Sequence, residues 1–331
     1  MSFKICTVGC GSMSTSVHGP SHARYAATHP GTLLAACCDL NEEKAVRYRE
    51  KFGYARHYTD LAKMLETERP DAVCLIAPVD LTCELSCRIL EMGYPLLMEK
   101  PPGRTTEELD RLITAADARN VPTQVAVNRR YTPVVQVLKQ TLAAQFKPSD
   151  IQHIRYDFTR IGRKDADFST TAIHGIDTTR FLAGSDYQRI RFHYQEFPRL
   201  GPTVANIFMD CTFVSGATAH LNFCPVSGVL VERATVYAYD NTFSMNIPIS
   251  QDRTFPASLQ HYEKNKLKRE LSPAEAAGGA EWFEMNGFYG ENAAFFDDIR
   301  TGRRPEGDLR SGRQSVEIAD CIRRRQQEYI A

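Results

Sequence analysis

FKICTVGCGSMSTSVHGPS, residues 3 to 21, opens as an apolar, β-branched run and breaks at Gly9-Cys10-Gly11. Lys4 to Val8 reads as a strand. Gly9-Cys10-Gly11-Ser12-Met13-Ser14 then reads as a GxGxxS version of the turn that sets a helix N-terminus against a pyrophosphate. The first glycine permits the tight turn, the second lets backbone N–H groups approach the phosphates, and the helix start adds partial positive charge. Gly9, Gly11, Ser12 and Met13 are therefore candidate cofactor contacts. Ser14 stands where the third glycine belongs, and Thr15 to Pro20 reads as a longer loop that delays the helix to Pro20 or Ser21. His18 and His22 lie near enough in sequence to touch a phosphate, but histidines near a helix start read more readily as polar surface residues.

Outward from this turn, further short apolar runs follow at Leu33 to Cys38, Val73 to Ala77, Pro95 to Met98 and Thr123 to Val127. Helical patterns separate them. Leu81, Leu85 and Ile89 repeat every four residues before the stop at Gly93, and Thr105 with Glu108 forms a capping box. This is a βαβ series, the α/β Rossmann pattern of a doubly wound parallel sheet. Asp39 follows strand two, where a carboxylate accepts from both ribose hydroxyls and repels a 2′-phosphate, favouring NAD over NADP. As a plain turn or cap residue it would favour neither, and Lys44 or Arg47 keeps NADP open.

Beyond about residue 128 the texture changes to long alternating runs at Ile151 to Ile161, Arg189 to Phe197, Thr203 to Val214, Ala217 to Cys224 and Leu230 to Tyr239. Such lengths predict a large, mostly antiparallel sheet in a C-terminal α+β domain. Helices are expected at Thr171 to Ala183, at Gly287 to Arg300 with Phe288, Asn292, Phe295 and Ile299 on one face, and from about Ser311. The expected domains are residues 1–127 and 128–331, in keeping with 331 residues at ~150 per domain. Forty Lys plus Arg balance forty Asp plus Glu, so no net field holds a nucleic-acid backbone or an anionic membrane. Arg323 to Arg325 read as a solvated helix end. No run approaches the ~20 apolar residues of a bilayer span, which leads to the expectation of a cytoplasmic protein with small-molecule partners. The ten cysteines lie partly inside apolar runs and read as reduced, and Cys83 with Cys87 reads as a packing or surface pair, so no metal site is expected.

Strand Pro95 to Met98 empties into Glu99-Lys100-Pro101-Pro102, at the sheet edge where doubly wound folds bind ligands. Two prolines fix the path there and hold Lys100 in place. The chain resembles the glucose-fructose oxidoreductase, inositol dehydrogenase and rhizopine-catabolism (Gfo/Idh/MocA) family. The resemblance rests on the glycine turn, Val73 to Pro78, GYPLLMEKPPGRTTEEL (93 to 109), VAVNRRY (125 to 131), His174 with Asp177, and GFYGENAAFFDDIRTGRRP (287 to 305). It implies an NAD(P)-binding Rossmann domain and a sheet domain that assembles homodimers or homotetramers. It also implies a sugar, inositol or related polyol as substrate, and an NAD(P)-dependent dehydrogenase acting on CH-OH groups. Lys100 matches the catalytic lysine, His174 the active-site histidine and Asp177 the aspartate three residues on. Pro78 and Glu99 join the cofactor contacts, while Asn128, Arg129 and Tyr131 are cleft-lining or junction residues.

The chemistry stands without the family: oxidising a secondary alcohol needs a base for the hydroxyl proton and a cation for the developing alkoxide. His174 suits the first role and Lys100 the second, with Asp177 orienting the substrate. Thr170 stands where most catalytic members carry an aspartate, and a hydroxyl cannot offset the Lys100 charge. Asp165 or Asp167 is a possible substitute, and Thr82 replaces a histidine common after Pro78. These departures keep two alternatives open: a non-catalytic dinucleotide- and sugar-binding regulatory protein, and a redox-neutral NAD-dependent glycosidase. Arg160, Arg163 and Lys164 follow a strand and either recognise an acidic group on a sugar or form a solvated strand end.

Overall fold

The computed structural model describes residues 2–249 and 255–331. The chain divides into two compact units, Met1–Asn128 with Gly287–Arg313, and Arg129–Asn286 with Gln314–Ala331. Residues 287–313, grouped with the C-terminal half in the sequence reading, belong to the first unit. Among the described residues no helix is long and apolar enough to cross a membrane.

The first unit is built on a six-stranded parallel sheet in the order β3-β2-β1-β4-β5-β6. Its strands are β1 (Phe3–Val8), β2 (Thr32–Cys38), β3 (Arg56–Tyr58), β4 (Ala72–Leu75), β5 (Leu96–Glu99) and β6 (Thr123–Ala126). A parallel sheet is covered on both faces, and every residue of β4, β5 and β6 is buried. The crossover helices are α1 (Gly19–Thr28), α2 (Glu42–Phe52), α3 (Leu61–Glu68), α4 (Val79–Glu91) and α5 (Thr106–Arg119). Asn41 and Asp60 cap α2 and α3 by accepting from the N–H of Lys44 and Lys63, both at 3.0 Å. Thr105 likewise accepts from Glu108 N–H at 3.2 Å, but the Glu108 carboxylate accepts from Arg104 N–H, so the expected capping box is half formed. Cys83 and Cys87 are both buried on α4.

One expectation fails at the turn itself: no loop delays the first helix. Residues 12 and 13 are helical, Ser14–His18 form a π-helical turn, and α1 continues from Gly19. Pro20 has no N–H to give to Ser16, so the α ladder has a gap, and Gly19 N–H reaches back to Ser14 O instead. The extra residue rotates the side chains that follow it.

The second unit carries a nine-stranded sheet in the order β14-β13-β12-β11-β7-β10-β9-β8-β15, with β7 and β10 parallel and the other pairs antiparallel. The strands are β7 (Ile151–Thr159), β8 (Tyr187–Glu196), β9 (Ala205–Phe213), β10 (Thr218–Cys224), β11 (Val231–Ala238), β12 (Asn241–Ile247), β13 (Ser258–Glu263), β14 (Lys266–Leu271) and β15 (Glu328–Ile330). The sequence reading missed β3 and β12 to β15. Strand β14, KLKREL, is an edge strand whose charges mask its period and protect the edge. Helices α6 (Pro133–Gln145) and α7 (Ser169–Ala183) belong to the same unit, and Val134, Leu138, Ala172 and Ile176 pack with Tyr156, Phe158, Phe223 and Val236 in its core.

Candidate functional site

Gly9 has φ of +92°, and a Cβ there would lie 2.0 Å from the carbonyl oxygen of Ile76, so no other residue closes this turn. Gly11 is the opposite case: a Cβ built on it meets nothing within 4 Å, leaving open space beside the helix start. Ser12 and Met13 are exposed there, and the first N–H groups of a helix have no intrahelical acceptor. Asp39 bounds the turn. Its Oδ2 accepts from Cys10 N–H at 2.8 Å and its Oδ1 from Asn41 N–H at 2.9 Å. A carboxylate has about four acceptor positions, so two remain for ribose hydroxyls. The open side of Gly11, the helix start and the remaining capacity of Asp39 fit a dinucleotide.

At the carboxyl end of β5, Glu99 is buried and Lys100 is half-buried. Glu99 Oε1 accepts from His18 Nε2 at 2.9 Å and Oε2 from Lys100 N–H at 3.0 Å. Burial pushes the Glu99 carboxyl up, and the His18 hydrogen bond with the Lys100 charge and N–H more than offset it, leaving it below the usual carboxylate range. His18 and His22 are fully buried, which corrects both readings of them as phosphate contacts or surface residues. Burial pushes His22 down to about 3, so it is neutral. Pro78 is exposed at the N-cap of α4, and Thr82, buried, donates to its carbonyl at 3.1 Å.

The second unit begins within the turn Asn128–Tyr131, where two carboxylates grip Arg129 and Arg130. Arg129 donates from Nε and an Nη to the two oxygens of Glu232 at 2.8 and 3.0 Å, and from its other Nη to Asn286 Oδ1 at 2.7 Å. Arg130 donates bidentately to Asp177 at 2.7 and 2.6 Å, and Ser315 Oγ donates to the same carboxylate at 3.1 Å. Asp177, read as a substrate contact, is buried in this ion pair. Arg160 is also buried, paired with Glu232 and stacked 3.7 Å from the Phe158 ring centroid, so it is neither a solvated strand end nor an exposed anion receptor. Burial opposes the charge of Glu232, and the two guanidiniums overcome it, bringing its carboxyl down to about 2. Asn128 is buried and Tyr131 half-buried.

Helix α7 carries both His174, half-exposed, and Asp177. Thr170 donates to Asp167 O at 3.0 Å. The two residues considered as stand-ins for the missing aspartate are engaged locally: Asp165 accepts from Arg163 Nε at 2.8 Å, and Asp167 accepts from Ser169 N–H at 3.0 Å. Three residues escaped the sequence reading: Glu232, Arg130 and the buried role of His18. Strand register carried the signal for Glu232, whereas nothing local marks a partner for Arg130.

Residues 3–127 match the family described as Gfo/Idh/MocA, oxidoreductase family, NAD-binding Rossmann fold. The chain is 30% identical over 113 residues to D-glucoside 3-dehydrogenase of Escherichia coli (strain K12), covering 34% of this chain and 31% of that one. It is 22% identical over 309 residues to scyllo-inositol 2-dehydrogenase (NAD(+)) of Bacillus subtilis (strain 168), covering 90% and 88%. Among the curated relatives it matches are three of whose length it spans only 31% to 41%. In fold it is like a solved structure of levoglucosan dehydrogenase in complex with NADH, at 19% identity and a TM-score of 0.82, covering 100% of this chain and 99% of that one. The glycine turn, the parallel sheet and the Glu99-Lys100-Pro101 strand end all lie inside the matched segment, so residues 3–127 are similar to the NAD-binding Rossmann domain of the Gfo/Idh/MocA oxidoreductase family.

Proposed function

We propose that the protein is an NAD-dependent dehydrogenase that transfers a hydride between nicotinamide and a secondary alcohol or ketone of a sugar, inositol or related polyol. The observation that carries the reading is Lys100, held by the Glu99 carboxylate at the carboxyl end of β5, in the same sheet as a glycine turn with an open side for a dinucleotide. The nicotinamide, when bound, accepts or returns the hydride. Gly9, Gly11, Ser12, Met13, Asp39, Pro78 and Glu99 line or support its site. Lys100 stabilises the developing alkoxide as a fixed cation, and His174 takes the hydroxyl proton. Asp177 contributes by holding Arg130 and its turn, with Asn128, Arg129 and Tyr131 framing the substrate side. The preference for NAD rests on Asp39, followed by Glu42 and Glu43 in the first turn of α2, which together repel a 2′-phosphate.

The names of the relatives support the polyol class, since an inositol and a glucoside dehydrogenase are among them. Assembly as a homodimer or homotetramer belongs to the same proposal. His193, Phe208 and His220 stack in a row across β8, β9 and β10, giving a flat patch for a second copy. The test is a calorimetric titration with NADH and NADPH, followed by a polyol screen with Lys100→Ala as control. Micromolar NADH binding that survives Lys100→Ala, with turnover lost, is the expected result. Binding without turnover of any polyol would favour the regulatory reading, for which Thr170 in place of the aspartate is the specific observation.

A further inference from the structure

A chain of buried polar groups leads to Lys100 within the first unit, and its proton positions can be read from geometry. Asn292 Nδ2 lies 2.8 Å from the carbonyl oxygen of Phe288, which only accepts, so the orientation of this amide is set. Its Oδ1 then accepts from His22 Nε2 at 2.8 Å, which makes His22 the Nε2–H tautomer. His22 Nδ1 is left as an acceptor for the Tyr54 hydroxyl at 2.8 Å, in agreement with a neutral ring. His18 Nδ1 lies 3.2 Å from Asn292 Nδ2 and 3.4 Å from its Oδ1; the shorter contact makes that nitrogen the acceptor of the second Nδ2 hydrogen and puts the proton of His18 on Nε2. That Nε2–H points at Glu99 Oε1, 2.9 Å away. Every proton from Tyr54 onward is thus directed toward one carboxylate.

This chain is not a proton exit. An amide interrupts it, and its far end, Tyr54 with Thr7, is buried. A buried carboxylate stays ionised only where donors compensate its lost hydration, and Glu99 has two, His18 Nε2–H and Lys100 N–H. The charged or titratable groups acting on it are His18, from the π-helical turn, and Lys100, from its own strand end. The π-helical turn is what aims His18: its additional residue carries the ring into the interior.

Building on the assignment of Lys100 above, we propose that His18 is a positioning residue for it. By donating to Glu99 it keeps that side chain a carboxylate, which holds the Lys100 backbone and supports the positive charge of the Lys100 ammonium. The readout needs no turnover. Competitive labelling with acetic anhydride across a pH series, followed by mass spectrometry of the Lys100 peptide, gives the titration midpoint of its amine. His18→Leu keeps the volume and removes the donor, so Glu99 takes up a proton and the midpoint falls by about one unit or more. His18→Gln places an N–H near the position of Nε2 and restores the midpoint to within a few tenths of a unit.

Equal shifts in both variants would show that the imidazole only fills space, and no shift in either would show that Glu99 keeps its charge without His18; each result overturns the proposal. Should His18→Leu fail to fold, long-range proton–nitrogen NMR of the unaltered protein decides the matter. His18 must then show the Nε2–H tautomer, and the Nδ1–H tautomer would sink the inference. Lys100→Ala with a polyol and NAD tests the catalytic assignment separately, so either idea can fail while the other stands.

Discussion

Asp39 meets two demands at once: one oxygen holds the N–H of Cys10 inside the glycine turn, and the carboxylate as a whole selects the cofactor. Asp39→Asn separates them, since an amide oxygen still accepts from Cys10 while the charge is gone. NADH affinity is expected to fall by ~10-fold and NADPH affinity to rise, narrowing the preference; calorimetry that finds NADPH still excluded would locate selectivity elsewhere. The two glycines make a second contrast. Gly9→Ala drives a methyl into a backbone carbonyl at 2.0 Å, and is expected to cost more than ~3 kcal/mol of stability. Gly11→Ala meets no protein atom, so the unliganded melting temperature stays within a few degrees while NADH affinity drops, because the methyl occupies the space the pyrophosphate needs. Thermal melts with and without NADH separate the two outcomes.

Elements differ in how much of them can be read from local pattern. Strand β11 is legible in detail: alternation puts Glu232 on the face of Ala234, Val236 and Ala238, all buried, so its register announces an inward carboxylate that must find a cation. Which cation it finds is not legible, because Arg129 and Arg160 arrive from other elements, 103 and 72 residues away. The π-helical turn is similarly opaque, since Pro20 reads as a helix start and the register change that turns His18 inward has no local signature. The Glu232 cluster sets a pH dependence. Its carboxyl is lowered to about 2, so its stabilisation is complete above the ordinary value of 4.5 and is lost as pH falls toward 2. Glu232→Gln is therefore expected to cost on the order of 3 kcal/mol at pH 7, and to flatten the loss of stability between about pH 4.5 and 2. Urea denaturation at pH 7 and pH 3 measures both, and an equal difference at the two pH values would contradict the assignment.

For the whole molecule, the path of the chain matters more than any single element. The helix Phe288–Thr301 was legible as a helix with an apolar stripe, because periodicity reports which face is buried. Periodicity does not report against what. Phe295 and Phe296 are fully buried in the core of the first unit with Phe3, Ile5, Tyr25 and Leu34, long after that unit's sheet is complete at Ala126. At ~150–250 Å² per aromatic side chain and ~25 cal/mol per Å², these two rings supply roughly 10 kcal/mol as an upper figure. That is comparable to the entire ~5–15 kcal/mol stability of a typical domain. Asn292 on the same helix also satisfies His18 and His22, whose loss would leave two buried rings without their shared partner. Residues 2–128 expressed alone are therefore expected to lack a cooperative melt and to bind no NADH. Joining 287–313 to them through a flexible linker should restore both, as followed by circular dichroism and by NADH fluorescence. If residues 2–128 melt cooperatively and bind NADH as the whole chain does, the late segment is an accessory and not part of the core.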